Sequence, residues 1–454
     1  MGGSLALLAQ GRADAIVAVR RDGPVRRDEF LRDALAIAGR LPERAQVLNL
    51  CADRYAFAAG LFGSIARGAP SHLPHSTARE GIAALARSIP DLVCLTDGAD
   101  PGVPGLPLLR VGPAQRSQAS GSSAAAGDPG LPQIPADRLV AHVYTSGSTG
   151  TPRAHRKTFG HLREGVQGEA QKLRRLAGED CSIVGTVPFQ HMYGLESTVL
   201  LPLLGLGRIT PRRPLLPADI AEALAEVPRP RVLVTTPFHL RKLLESEVAF
   251  PEVAALLSAT APLEKALAAA SEDRFCAPLL EIYGSTETGQ VASRETARED
   301  GFLPFPGVTL AAAGGATRAR GPGIEGEETL LDVLEWSGEG RFQIVGRSAD
   351  LIEMAGKRGS LAHLNAVIAS IPGVREGVFH APQTPSGGPV ARLAAFAVAP
   401  GLRREELLAA LRERIDPAFL PRPLVLVEAL PRDGNGKITV HALEELAARA
   451  ARRP

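Results

Sequence analysis

Cysteine is scarce in this chain, and so is any excess of charge of one sign. The 454 residues include four cysteines, Cys51, Cys94, Cys181 and Cys276, which are far apart and mostly flanked by apolar residues. No two have the Cys-x-x-Cys spacing of a zinc or redox site, so we expect reduced thiols that are mostly packed in the interior. The formal net charge of +2 excludes a strongly basic nucleic-acid-binding chain on bulk electrostatics.

Long apolar runs are also missing. No stretch of about 18 apolar residues is present, which argues against a membrane span. The apolar patch from Leu5 to Leu8 is too short for the core of a signal peptide and lacks a basic start. We therefore expect a cytoplasmic protein. Hydrophobic residues form 45 % of the chain and charged residues 22 %, which is typical of globular proteins.

What the chain does contain is an alternation of helical patterns with short apolar strands. This alternation continues to about residue 290 and predicts an α/β fold with a parallel sheet and covering helices. Gly-rich turns and short strands from Phe302 to Gly346 predict a small β subdomain, and a βα pattern returns after Arg347. The sequence therefore predicts a large N-terminal domain of layered sheets and helices over 1–346 and a small α+β C-terminal domain over 347–454.

The segment from Tyr144 to Arg153 reads Tyr-Thr-Ser-Gly-Ser-Thr-Gly-Thr-Pro-Arg and follows an apolar strand. Its glycines allow main-chain N–H groups to approach an anion, its hydroxyl groups add hydrogen-bond donors, and Arg153 adds a positive charge. We expect a strand, a phosphate-binding loop and a helix in succession. The loop lacks the Gly-Lys-Ser/Thr ending of a Walker A motif. A polar surface turn is the alternative interpretation. The loop candidates are Thr145, Ser146, Gly147, Ser148, Thr149, Gly150 and Arg153.

A second strand end, from Glu281 to Gly289, leads into a Gly/Ser/Thr turn that carries one carboxylate. Glu287 suits Mg²⁺, which commonly takes one or two protein carboxylates together with phosphate oxygens. Tyr283 offers a flat face for a purine. The alternatives are a surface carboxylate for Glu287 and a packed aromatic ring for Tyr283.

A third set of candidates lies further along the chain. Asp332 falls in the small β region, Gly346-Arg347 opens the last domain, and Asp433-Gly434-Asn435-Gly436-Lys437 lies near its end. A tight turn before Lys437 would project its ammonium group toward an anionic centre. The alternative is a solvated surface lysine.

In this order, the motifs resemble those of the adenylate-forming superfamily of acyl-CoA synthetases, aryl-acid ligases and peptide-synthetase adenylation domains. The resemblance spans roughly 45 to 445 and includes the segment from Pro188 to Gly194, with His191 and Met192. It implies a reaction in two steps. A carboxylate attacks the α-phosphate of ATP to give an acyl-adenylate and pyrophosphate, and a thiol then displaces AMP.

The resemblance also implies roles for the residues. The first loop would hold the β- and γ-phosphates, Tyr283 with Gly284 and Ser285 would hold the nucleotide, and Thr286 would bond the α-phosphate. Glu287 would bind Mg²⁺, and Asp332 and Arg347 would hold the ribose. Lys437 would bridge the carboxylate and the α-phosphate, then move away with its mobile domain about a hinge at Ala349 or Asp350. Arg153-Ala154 departs from the Lys-Gly that is usual in the family.

The acid pocket and the thiol site are further implications. His191, also a catalytic candidate, would begin a pocket with Met192, Phe238, Ser258 and Gly284, which suits an aromatic acid better than an acyl chain; an interior histidine is the alternative for His191. Gly356, Lys357 and Arg358 would contact the phosphopantetheine thiol.

The acceptor of the acyl group could be either of two thiols. The chain resembles stand-alone ligases of aryl-polyene or xanthomonadin-type pathways, which implies an acyl carrier protein as partner. Arg403, Arg404, Arg412 and Arg414 would suit an acidic partner, and a solvated helix face explains them as well. Free coenzyme A is the alternative acceptor, and a non-catalytic nucleotide-binding protein is the alternative of another class.

Overall fold

The structure is a computed structural model. It describes residues 3–74, 77–98, 100–112, 130–145, 153–313, 316–347, 351–354, 357–381, 393–432, 438 and 440–451. These residues form two compact units. Unit 1 comprises 1–310, 319–328 and 339–341, and unit 2 comprises 311–318, 329–338 and 342–454. The units interleave between 311 and 341, whereas the border predicted from the sequence lies between 346 and 347 and stays a prediction.

Helices and strands alternate through most of unit 1, as predicted. The helices are Arg27–Arg40 (α1), Arg54–Arg67 (α2), Arg79–Ser88 (α3), Phe159–Gly165 (α4), Gln167–Ala177 (α5), Met192–Leu195 (α6), Pro217–Ala225 (α7), Pro237–Leu244 (α8), Lys265–Phe275 (α9), Leu361–Ala369 (α10), Arg404–Arg412 (α11) and Val440–Ala451 (α12). A π-helical segment, Glu196–Gly205, continues α6 directly. In the part of the chain that is described, no helix combines the length and the apolarity needed to cross a membrane.

The strands are mostly short. They are Ser4–Ala6 (β1), Ile16–Arg20 (β2), Gly23–Arg26 (β3), Gln46–Asn49 (β4), Ser71–Leu73 (β5), Leu92–Thr96 (β6), Leu108–Arg110 (β7), Gln133–Pro135 (β8), Leu139–Thr145 (β9), Arg153–Thr158 (β10), Ser182–Gly185 (β11), Arg208–Ile209 (β12), Arg231–Thr235 (β13), Ala255–Ser258 (β14), Leu279–Ser285 (β15), Gly289–Arg294 (β16), Leu303–Pro304 (β17), Thr309–Ala313 (β18), Ala316–Arg320 (β19), Glu328–Leu330 (β20), Asp332–Ser337 (β21), Arg341–Arg347 (β22), Leu351–Met354 (β23), Lys357–Ser360 (β24), Glu376–His380 (β25), Ala394–Val398 (β26) and Leu424–Leu426 (β27).

Two large sheets carry unit 1. Among the described residues, one sheet has nine strands in the order β17-β16-β15-β14-β13-β11-β12-β2-β3, and the other has six in the order β10-β9-β5-β4-β6-β7. The run from β15 to β2 is parallel, and antiparallel strands close both edges. Since βα units place apolar strands between helices, these strands are nearly all buried. The predicted α/β fold class is confirmed.

Helix α2 lies between these sheets and is buried on almost every side. The side chain of Asp53 caps its first turn by accepting a hydrogen bond from the Ala56 amide, and Gly68 ends it with a φ of 80°. One apolar core contains Phe57 from α2 together with Val143 from the six-stranded sheet and Val232 from the nine-stranded sheet. The two sheets therefore share this core.

Two local features differ from the sequence prediction. The phosphate-loop segment is followed by strand β10, which pairs antiparallel with β9, before helix α4 begins at Phe159. Strand β15 likewise returns as an antiparallel hairpin with β16 rather than leading into a helix. The expected order of strand, loop and helix is therefore wrong at the first motif, because a second strand precedes the helix.

Unit 2 contains the predicted α+β element. Strands β25, β26 and β27 form a sheet in that order. Its apolar core includes Leu364 from α10, Phe379 from β25 and Leu407 from α11. The short strands β18 to β22 form small sheets in the orders β18-β19-β20 and β21-β22, as the Gly-rich sequence predicts.

Of the four cysteines, Cys51, Cys94 and Cys181 are buried and Cys276 is exposed.

The packing of α1 against α2 gives a first prediction. A Cβ atom on Gly63 of α2 would lie 2.6 Å from the main-chain oxygen of Ala34 in α1. The substitution Gly63→Ala must push the helices apart, and we expect the free energy of unfolding to fall by about 1–3 kcal/mol in urea denaturation. The control Gly81→Ala lies in α3, where a Cβ meets nothing within 4 Å, and it should stabilise by about 0.5–1 kcal/mol. Equal stability of the Gly63 variant and the parent would contradict this packing.

Candidate active site

The first motif is held at both ends by the β9–β10 hairpin. Thr145, the last residue of β9, is paired in register with Arg153, the first residue of β10. Residues 146–152, which include the loop candidates Ser146, Gly147, Ser148, Thr149 and Gly150, lie outside the described residues. The hairpin register nevertheless fixes where the segment leaves and rejoins the sheet.

The second motif is a tight turn between β15 and β16. The amide and hydroxyl groups of Ser285 and Thr288 hydrogen-bond reciprocally at 3.1–3.2 Å, which closes the turn and leaves Thr286 and Glu287 at its tip. Only glycine fits beneath it, because a Cβ on Gly284 would lie 2.2 Å from the main-chain oxygen of Gly289. Gly289 itself has a φ of 68°.

The structure brings the two motifs together. Nε2 of His155 lies 3.0 Å from Oγ1 of Thr145 and 3.5 Å from Oε1 of Glu287. Nζ of Lys157 donates a hydrogen bond to the main-chain oxygen of Glu287 at 2.7 Å. Burial lowers the pKa of His155, which favours the neutral imidazole. A carboxylate therefore lies directly beside the strand ends that flank residues 146–152.

Beneath the turn lies a buried layer of charged and polar groups. Burial raises the pKa of Glu196 to about 8 and that of Glu169 to about 7, and it lowers the pKa of Lys157. Glu169 accepts hydrogen bonds from Ser197, at 3.0 Å, and from the Gln290 side chain. Burying such groups costs free energy, so hydrophobic packing does not account for their position under this turn.

The acid-pocket candidates lie at the carboxyl ends of β11, β13 and β14. Thr235 and Ser258 are neighbours in the β13–β14 register, and Thr186 Oγ1 lies 3.0 Å from Thr235 Oγ1. Among the described residues, the buried hydroxyl groups of Ser258 and Tyr193 have no partner of good geometry, although that of Tyr193 lies near the Thr235 main chain. Buried hydroxyl groups at such an edge suit recognition of a polar ligand group.

The other pocket candidates differ in burial. Met192 is buried, His191 is exposed at the start of α6, and the Phe238 side chain is 63 % exposed. Phe238 thus does not close a pocket in this structure. Its neighbour His239 instead turns inward and lies 2.9 Å from Oγ1 of Thr236.

The nucleotide candidates beside the turn show a similar contrast. Gly284 is exposed, whereas Tyr283 is only 7 % exposed and packs against Phe302 with ring centroids 5.6 Å apart. The predicted stacking of Tyr283 on a purine stays a prediction.

The remaining predicted residues belong to unit 2. Asp332 begins β21, and Arg347 ends β22. Lys357 and Arg358 begin β24, where they pair with Met354 and Glu353 of β23. Ala349, Asp350, Gly356 and Lys437 lie outside the described residues, so their roles stay predictions.

Four residues of the candidate site were not among the predicted site residues: His155, Lys157, Glu196 and Tyr193. His155 and Lys157 are two residues apart in β10 and both point inward, while Arg153, Ala154 and Arg156 are exposed. Strand alternation would have indicated this if β10 had been recognised. The polar sequence Arg-Ala-His-Arg-Lys-Thr hides the strand.

The donor groups at the turn fit a hard cation that is also bound by phosphate. Glu287 supplies one carboxylate, and within the described ranges no group of three or more His, Cys, Asp or Glu side chains is arranged to hold a metal alone. Mg²⁺ is usually bound in this way, through one or two carboxylates plus phosphate oxygens.

Comparison with known proteins points in the same direction. The sequence profile of the AMP-binding enzyme family matches residues 41–326, and that of the AMP-binding enzyme C-terminal domain matches 363–437. The chain is 31 % identical over 302 residues to a 4-coumarate–CoA ligase of Rhodobacter capsulatus, covering 64 % of this chain and 73 % of that protein. A 4-coumarate–CoA ligase of Halorhodospira halophila is 30 % identical over 302 residues, covering 65 % and 73 %.

Solved structures share the fold at low identity. ATP-bound MatB from Rhodopseudomonas palustris has a TM-score of 0.77 at 19 % identity over 96 % of both chains. The o-succinylbenzoate CoA synthetase of Bacillus subtilis, in complex with its acyl-adenylate intermediate, has a TM-score of 0.77 at 18 % identity, covering 94 % of this chain and 95 % of that one.

The buried Glu169 gives a prediction for stability against pH. Its pKa is about 7 in the folded chain against an ordinary 4.5, so between these values the folded state holds a proton that the unfolded state has released. The free energy of unfolding should therefore fall as pH rises from about 4.5 to 7, by at most about 1.4 kcal/mol per pH unit from this group.

The variant Glu169→Gln tests this directly, because it keeps the shape and removes the titration. Urea denaturation from pH 5 to pH 8 should show a shallower decline for the variant than for the parent. Parallel declines in the two proteins would show that Glu169 does not titrate as described.

Proposed function

Because this chain belongs to the AMP-binding enzyme family and is an AMP-forming acid–thiol ligase, we propose that it activates an aromatic carboxylic acid and passes the acyl group to coenzyme A. The observation that carries the proposal is the contact between the phosphate-loop hairpin and the turn of Glu287. Adenylation requires a carboxylate and a triphosphate, both negative, to meet. A site that places hydroxyl groups, cations and a metal-binding carboxylate together serves this need.

The residues are proposed to act as follows. The hydroxyl and N–H groups of 145–150, with Arg153, bind the terminal phosphates, and Thr286 donates to the α-phosphate. Glu287 would hold Mg²⁺, which neutralises phosphate charge when bound. Asp332 and Arg347 hold the ribose hydroxyls. The Lys437 ammonium group stabilises the negative charge that builds up as the carboxylate attacks.

The choice of an aromatic acid rests on the pocket edge. The buried hydroxyl groups of Tyr193 and Ser258 can hydrogen-bond to a ring substituent, such as a phenolic hydroxyl, while Met192 packs against a flat ring. Two similar proteins are named as 4-coumarate–CoA ligases, which is consistent with this choice.

Coenzyme A is favoured over a carrier protein as acceptor. Two of the arginines expected to attract an acidic carrier have acidic neighbours: Arg403 pairs with Glu406 at 2.7 Å, and Arg414 lies 3.5 Å from Glu413. Local pairing weakens their long-range attraction. The carrier protein remains the second candidate. Comparing free coenzyme A with a phosphopantetheinylated carrier as acceptor in thioester formation separates the two.

The substrate proposal predicts a pattern of acids in ATP–pyrophosphate exchange. Hydroxycinnamates and hydroxybenzoates should support exchange better than fatty acids. Tyr193→Phe should raise the KM for a hydroxylated acid by roughly tenfold and leave the unsubstituted ring acid little changed, as loss of one hydrogen bond implies. A response to aliphatic acids alone contradicts the aromatic preference, and no exchange with any acid favours a non-catalytic nucleotide-binding protein.

The proposed role of Lys437 predicts a difference between the two steps. Lys437→Ala should slow acyl-adenylate formation by at least about 100-fold, because a cation at the developing charge is lost. Transfer from a supplied acyl-adenylate to coenzyme A should change little. Lys357→Ala is the matched control and should affect the second step instead. Undiminished acyl-adenylate formation by Lys437→Ala would rule out its role.

A further inference from the structure

The turn from Ser285 to Gly289 contacts two buried ionisable side chains that the proposed chemistry does not use. The side chain of Lys157 lies on β10 and that of Glu196 at the start of the π-helical segment; the residues are 1 % and 2 % exposed. Burying two ionisable groups is expensive, and apolar residues of similar volume are often at least as stabilising. Stability alone therefore does not explain this pair.

The side chain of Lys157 binds the main chain of the turn. Its Nζ donates to the carbonyl oxygen of Glu287 at 2.7 Å, so the hydrogen bond is independent of what the Glu287 carboxylate binds. Burial disfavours its ammonium form, and among the carboxyl groups Glu196, when ionised, opposes this most, followed by Glu325 and Glu328. The carboxylate of Glu287 is left available for another cation.

Glu196 reaches the other side of the same turn. Its Oε1 accepts a hydrogen bond from the main-chain amide of Gln290 at 3.3 Å. The same oxygen would lie 2.5 Å from a Cβ atom on Gly289, so the carboxylate occupies the space that the missing side chain leaves. The glycine thus serves a close approach as well as a φ of 68°.

We propose that Lys157 and Glu196 are positioning residues that fix the catalytic turn from both sides by its main chain, and so set the direction of the Glu287 carboxylate. Lys157 holds the carbonyl of residue 287, and Glu196 holds the amide of residue 290. This inference rests on the proposed function, in which that carboxylate holds Mg²⁺.

The location of the pair gives it a second consequence. Lys157 lies four residues after Arg153 in the hairpin that carries the phosphate-binding segment, and Glu196 follows α6, which carries Met192 and Tyr193 of the acid pocket. The metal carboxylate, the phosphate loop and the acid pocket are thereby tied to one turn. An error of about 1 Å in such a site can cost 100-fold in rate.

The test measures how much Mg²⁺ strengthens nucleotide binding. The fluorescent nucleotide mant-ATP is titrated into the whole protein in excess Mg²⁺ and again in EDTA. The readout is the Kd in EDTA divided by the Kd in Mg²⁺. For Lys157→Met and for Glu196→Gln this ratio should fall by about tenfold, as is usual when the groups that orient a metal ligand are changed. Binding in EDTA should change little.

A buried variant in the same layer is the control. Glu169→Gln removes a carboxylate that contacts the side chains of Ser197 and Gln290 but not the main chain of the turn. It should alter the Tm and leave the Mg²⁺ effect on mant-ATP binding unchanged. If Lys157→Met does not fold, the double variant with Glu196→Gln removes both ionisable groups and should show the same loss.

Two results would overturn the inference. One is an unchanged Mg²⁺ effect in folded Lys157 and Glu196 variants, which would leave the pair a purely structural role. The other is an equal loss in Glu169→Gln, which would indicate general loosening of the layer. Failure of the proposed function looks different: no acid then supports pyrophosphate exchange by the parent protein, while the nucleotide titrations still decide the positioning role.

Discussion

A buried ammonium group needs a hydrogen-bond acceptor, and Lys157 finds one in the main chain of Glu287. This single bond is made only if the β9–β10 hairpin lies beside the β15–β16 hairpin. The two hairpins belong to different sheets, so the arrangement of the sheets and the arrangement of the candidate site are determined together. A change that separates the sheets leaves a charge unsatisfied in the interior, which resists gradual deformation of the site.

The turn that receives this bond is also braced at its base. The Glu281 side chain, at the foot of the hairpin, accepts hydrogen bonds from Arg294 at 2.8 Å and from the Leu263 amide at 3.3 Å. A hairpin that is fixed at its base and held on both sides of its tip has little freedom left. Rigid support of this kind is what a site needs when a carboxylate must be aimed within a fraction of an ångström.

The sequence predicted the fold class, because apolar strands such as β13 and amphipathic helices such as α1 have clear periodicity. It missed β10, whose residues are almost all polar. Its inward side chains, His155 and Lys157, are stabilised by Thr145 and Glu287, and the latter is 130 residues away from Lys157. Local patterns carry no information on such a distant partner. Tyr193 was missed for a related reason. The burial of its hydroxyl group depends on the neighbouring strand end, which the local sequence does not reveal.

The charge around the turn supports the proposed need for further cations. The carboxylates of Glu287, Glu325 and Glu328 favour the ammonium form of Lys157. That ammonium group already donates a hydrogen bond to a main-chain carbonyl. These carboxylates would repel a nucleotide triphosphate bound beside them. The repulsion is strong because electrostatic interactions are strong where water is excluded. Mg²⁺ at Glu287 and an ammonium group from Lys437 would supply the missing positive charge at the point where the substrate carboxylate approaches. A permanently closed cationic site would also retain its negatively charged product, so a Lys437 that moves away as proposed would combine strong stabilisation during the reaction with release after it.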